Sequence, residues 1–172
     1  TSYSGKWVHV VGTITSSTRI LYVNGSEAAS TSGSFSVNDL NSSDANAVGS
    51  RTDGSYPSSG YIDEVAIWNE ALTAAEIAAI FNSGNPLTAS SNSGNYTSAT
   101  NVKGYWRFGE NTGTKTHDLS GSGNHGTISG ATYVSPGADA AGPTVSSVSS
   151  TTADGTYNIG DTLAITAIFN EI

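Results

Sequence analysis

Residues 60–81, GYIDEVAIWNEALTAAEIAAIF, decide the fold. Residues 61–68 alternate, with Tyr61, Asp63, Val65 and Ile67 on one face and Ile62, Glu64, Ala66 and Trp68 on the other, which predicts a strand covered on both faces. At Thr73 the period changes to that of a helix. Thr73 and Glu76 have the spacing of a capping box, in which each side chain bonds the other residue's free backbone N–H. Leu72 and Ile77 stand where a hydrophobic staple closes, and Ile77, Ile80 and Phe81 form one apolar stripe. Gly84 and Pro86 supply the stop. The spacing predicts a short helix lying as a lid on a sheet.

Working towards the N-terminus, residues 6–15 read as a strand opened by Trp7, with Val8, Val10 and Ile14 alternating against His9, Val11 and Thr13. Residues 19–23 are its partner. Asn24-Gly25 favours a tight type I′ turn into a strand over 26–30. Residues 31–46 form a Ser/Asn/Asp-rich loop, anchored only by Phe35, Val37 and Leu40. Residues 47–51 are a short strand, and 52–59, with Asp53-Gly54 and Pro57, are turn.

GKWVHVVGTITSSTRILYVNG, residues 5–25, and the Gly-x-Ile-Asp-Glu-Val run with its helix resemble the closing hairpin and last core strand of laminin G-like, concanavalin A-type jelly-roll modules. They occur here in the modules' order and spacing. The resemblance implies an all-β, antiparallel jelly-roll sandwich with one short helix.

On the C-terminal side, LTASSNSGNYTSAT, residues 87–100, is an internal linker by composition, with Leu87 and Tyr96 as anchors. Residues 102–108 alternate Val102, Gly104, Trp106 and Phe108 against Lys103, Tyr105 and Arg107, the pattern of a strand. A glycine-punctuated loop and a strand near 127–133 follow. GYWRFGENTGTKTHDLSGSGNHGTISGATYV, residues 104–134, resembles the opening segment of the same modules, yet it comes after the closing one. It either starts a second, truncated module or completes the first by permutation. Permutation is favoured, because the chain beyond 135 does not continue the module. A sandwich over 1–135 is thus expected, with 101–135 closing it.

Residues 136–142 read as a small-residue hinge. PTVSSVSSTTADGTYNIGDTLAITAIFNEI, residues 143–172, resembles the first two strands of the immunoglobulin-like repeats of bacterial surface proteins. Thirty residues cannot bury a core alone. The chain opens at Thr1 directly before a strand, which suggests a piece of a larger protein. Its sheet edges then invite self-association.

Hydrophobic residues are 36% and charged ones 12%, with 20 glycines, which suits short strands and tight loops. A net charge of −8 with six Lys and Arg argues against a nucleic-acid partner and against an anionic membrane surface. No run of about 18 apolar residues is present to span a membrane as a helix. The chain has no cysteine, hence no disulfide.

The strongest site motif is the loop from Asp118 through Asn124 to Gly126. Calcium takes about six to eight oxygens from carboxylates, amides and carbonyls, and such a loop offers all three. Asp118 and Asn124 are the candidate ligands. The competing interpretation is an Asx-turn closed by Asp118. The resemblance implies a structural calcium site in which this loop meets the Asp of the IDEV strand, making Asp63 the third ligand.

Catalysis is not expected. Paired glycosidase carboxylates stand about 5 to 5.5 Å apart in retaining enzymes, whereas Asp63 and Glu64 fall on opposite faces and Glu70 lies beyond the strand. His9 and His117 lack the clustering that zinc needs. Trp7, Trp68 and Trp106 are expected in the core, and Tyr56, Tyr61 and Tyr96, in or near loops, are candidates to stack on sugar rings. The resemblance implies a non-catalytic, calcium-stabilised binding or adhesion module of a secreted or surface protein, recognising a polysaccharide or a surface protein ligand. The alternative is a spacer or accessory domain of a secreted glycan-degrading enzyme.

Overall fold

The computed structural model describes residues 3–35 and 46–134, together with the backbone of two strands further on. The chain divides into two compact units, Thr1–Ala138 and Asp139–Ile172. In the first, β1 (Val10–Ile14), β2 (Thr18–Val23) and β3 (Ser26–Ser32) form an antiparallel sheet in that order. Asn24 and Gly25 both take positive φ, 49° and 76°, as a type I′ turn requires.

The second unit contains β8 (Thr144–Ser150) and β9 (Ile165–Asn170), paired antiparallel from Thr144↔Asn170 to Ser150↔Ile165. The expected hinge at 136–142 lies outside the described residues.

Of the two alternating faces of β1, the one bearing Val11 and Thr13 is the inner one. Val11 pairs with Tyr22 and Thr13 with Ile20, and this face turns inward. Val10 is 61% exposed, and Ile14 and Leu21 also face out. The strand is shorter than 6–15, and Trp7 stands before it. What decides the face is α1 (Ala74–Phe81), which covers the Val11–Tyr22 side.

The helix matches its sequence signals closely. Thr73 Oγ1 accepts the Glu76 N–H at 3.2 Å and Glu76 Oε2 accepts the Thr73 N–H at 3.0 Å. Leu72, Ile77 and Ile80 are buried with Tyr22 and Tyr96 in the main core. The helix ends earlier than Gly84, because Asn82 already adopts a left-handed conformation with φ 43°. The edge of Phe81 closes on the hairpin turn, where a Cβ on Gly25 would stand 2.9 Å from Phe81 Cδ1. Gly25→Ala therefore has to accept positive φ and displace Phe81. It should cost about 2 kcal/mol in urea unfolding.

β4 (Val65–Trp68) is half the expected length, since Glu64 turns to φ 54° and ends the extended run. It pairs antiparallel with β5 (Val102–Trp106), Val65 opposite Trp106 and Ala66 opposite Tyr105. Along β5 the Trp106 ring lies over Gly104, where a Cβ would come within 2.3 Å of it, so only glycine fits. Ala89, Val102 and Tyr105 make a second small core with Ala66 and Trp68. β6 (Lys115–Thr116) and β7 (Gly126–Thr127) pair as a short ladder, shorter than the strand expected at 127–133.

Residues 47–51, expected as a strand, form bends instead. The segment 87–100 is a linker only in composition: Tyr96 is fully buried, and Ala89 and Ser98 are buried as well. The architecture is β-rich with small sheets and one short helix. Among the described residues these sheets are separate, and the outward side of β1–β3 is an open hollow lined by Gly12, Ile14, Leu21 and Ala29.

Candidate functional site

The loop after β5 is held by one carboxylate. Asp118, buried at 6% exposure, accepts the N–H groups of Tyr105 and Ser120 on Oδ1, both at 2.9 Å, and that of Asn124 on Oδ2 at 2.8 Å. Burial pushes its pKa up, but the hydrogen bonds from Ser120, Asn124 and Tyr105 outweigh burial and hold it below the usual carboxylate value. Its own N–H donates to His125 Nδ1 at 3.1 Å. Asn124 Nδ2 donates to the Lys103 carbonyl, and the Asn124 carbonyl accepts the indole N–H of Trp106, each at 2.8 Å. The loop is thereby stitched along β5.

The structure thus brings Asp118 and Asn124 together through the Asn124 backbone N–H. Asp63 stands before β4, its Oδ1 accepting the Glu64 N–H at 3.0 Å. Among the described residues there is no group of three His, Cys, Asp or Glu side chains placed to hold a metal. Asp118 Oδ1 accepts two N–H groups and Oδ2 one, and His125 Nδ1 is taken by the Asp118 N–H. These hydrogen bonds are ones that a turn-closing carboxylate makes.

Glu64 and Glu70 are held by different partners. Glu64, immediately before β4, accepts the Tyr105 hydroxyl on Oε2 and pairs with Arg107 Nε through Oε1 at 2.7 Å. Burial, with Glu64 beside it, pushes the Tyr105 phenol far up. Glu70 Oε1 accepts from Asn101 Nδ2 at 2.5 Å. The Glu64–Tyr105–Arg107 cluster was missed from the sequence. Its signal is there: Tyr105 and Arg107 share a face of β5, and an acidic residue at the matching end of β4 completes a cross-strand ion pair.

The aromatic residues sort differently from expectation. Tyr96, named as a possible sugar platform, is core, its ring edge-on to Trp68 at 6.5 Å between centroids. Trp7, expected in the core, is 46% exposed, with its ring centroid 6.2 Å from that of Tyr61, which is 70% exposed. Tyr56 is more exposed still and carries the Arg51 guanidinium 5.8 Å from its ring centroid. No described helix is long and apolar enough to cross a membrane.

No curated protein and no solved structure matches the chain. A family model does, and it covers β1 to β4 and the first half of α1. Residues 1–78 match the model described as the concanavalin A-like lectin/glucanases superfamily, so this segment is similar to a laminin G-like module of that superfamily.

Proposed function

We propose that the chain is a non-catalytic, extracellular or cell-surface module that binds glycan. The observation that carries this reading is the match of residues 1–78 to a superfamily described by its lectins and glucanases. Of those two possibilities, the lectin type is supported by the different partners of Glu64 and Glu70. Glu64 is committed to Arg107 and Tyr105, and Glu70 to Asn101. A retaining glycosidase needs two carboxylates facing one another across a bond.

Permutation belongs to the same proposal. β5 comes from the segment that resembles a module's opening, and β4 from the segment that resembles its close. Their antiparallel pairing within the first unit supports residues 101–134 as part of the same module.

The test is retardation of the 172-residue chain in gels containing one soluble polysaccharide each, with release of reducing ends assayed in parallel. Retardation without new reducing ends is the expected result. Hydrolysis would replace the proposal with an enzyme, and absence of binding across the panel would remove it.

Calcium is separable from glycan binding. If Asp118 closes a turn, Asp118→Ala should lower stability by about 2 kcal/mol, since three N–H groups lose their acceptor. The loss should be the same in excess calcium as in chelator. A calcium-dependent rise in the wild-type melting midpoint that vanishes in the variant would make the loop a metal site instead.

A further inference from the structure

We infer that Trp7 and Tyr61 together form the contact surface for an uncharged pyranose polysaccharide. This rests on the glycan-binding reading above and names the residues and the ligand class. Single exposed apolar residues are ordinary on protein surfaces. Two large aromatic rings, 46% and 70% exposed and 6.2 Å apart between centroids, are not a scattered pair. Each is set just ahead of a strand by local backbone. A turn closed by Lys6 N–H to the Tyr3 carbonyl leads into Trp7, and Gly60, at φ 141°, leads into Tyr61.

The polar ends of the rings separate this pair from the other tryptophans. Trp68 Nε1 donates to Tyr96 and Trp106 Nε1 to Asn124. Neither the Trp7 indole N–H nor the Tyr61 hydroxyl has a hydrogen-bond partner among the described residues. An apolar ring face with an unused donor beside it matches a pyranose, which presents C–H groups on one face and hydroxyls around its rim.

Other occupants fit less well. A stable protein partner covers about 800 Å² on each side, far more than two rings. Nucleic acid and acidic polysaccharides are opposed by the net charge of −8. The rings are tilted by 42° from one another, so they do not offer one flat platform. They would hold neighbouring sugars of a twisted chain, one ring each.

The experiment uses the full 172-residue chain, with soluble β-glucan, xylan and mannan as neutral probes and alginate as the acidic one. Affinities come from gel retardation and calorimetry. Trp7→Ala and Tyr61→Ala should each weaken binding to a neutral probe about tenfold. Trp7→Phe should retain part of the affinity, with melting midpoints unchanged. Should Trp7→Ala fail to fold, Tyr61→Leu, at the more exposed ring, carries the same test.

Equal binding by wild type and both variants would overturn the stacking surface and leave the glycan reading standing. Binding to alginate alone would do the same. No binding by wild type to any probe would overturn both.

Discussion

Tyr96→Ala should lower the unfolding free energy by about 4 kcal/mol, in the range typical of a large aromatic ring deleted from a core. Tyr96 is fully buried, between α1 and β4. It packs with Tyr22, Leu72, Ile77 and Ile80, and its ring meets Trp68 edge-on. The hydroxyl accepts the Trp68 indole N–H at 2.9 Å and donates to the Ala89 carbonyl at 2.5 Å. The truncation therefore adds two orphaned polar groups to a cavity.

Tyr96→Phe separates these parts, keeping the ring and losing only the relay, for about 1 to 2 kcal/mol. Chemical denaturation of both variants gives the comparison. Small domains hold only about 5 to 15 kcal/mol in total, so the alanine variant should sit close to its unfolding midpoint. A loss under about 1 kcal/mol would mean that residues 87–100 do not pack as described.

That segment shows where sequence patterns stop. Local signals were legible because their physics is local. The Asn24-Gly25 turn needs positive φ at both positions, and the Thr73–Glu76 box needs only three-residue spacing. The identity of the buried face was not local. β1 offers Val10 and Ile14 on one side and Val11 on the other, and only the arrival of α1 settles which is inside. LTASSNSGNYTSAT has no period at all. Tyr96 was legible as an anchor, but the hydrogen bonds from Thr97 and Ser98 to Glu76 were not, since they join residues 21 or 22 apart. Asp118 was legible as a loop organiser, since a carboxylate flanked by glycines suits either a turn or a cation. The N–H groups on both of its oxygens became visible only in the fold, because Tyr105 reaches Asp118 from 13 residues away.

Glu76 fastens the other end of the same segment, and its removal should be the second large effect. One carboxylate, buried at 7% exposure, receives the Thr73 N–H and hydroxyl on Oε2. On Oε1 it receives the Ser98 hydroxyl at 2.6 Å and the Thr97 N–H and hydroxyl at 3.3 and 3.2 Å. Burial raises its pKa, but the bonds from Ser98, Thr73 and Thr97 outweigh burial and bring it down to about 2 from an ordinary 4.5.

The folded state then binds fewer protons than the unfolded chain between those values. The stabilisation is complete above pH 4.5 and disappears as the pH falls towards 2. With solvent screening it amounts to about 2 kcal/mol. Glu76→Ala at neutral pH should cost about 3 kcal/mol, because it also strips the helix cap and strands the Ser98 hydroxyl.

Asp118 and Glu110 are shifted down as well, so the wild-type acid curve contains their contributions too. Glu76→Gln isolates the one carboxylate, because the wild-type minus variant difference retains only its titration. That difference should be flat above pH 5 and shrink between pH 4.5 and 2. A difference that stayed constant through this interval would mean that the charge on Glu76 contributes nothing, and that packing alone holds residues 97 and 98 against the helix.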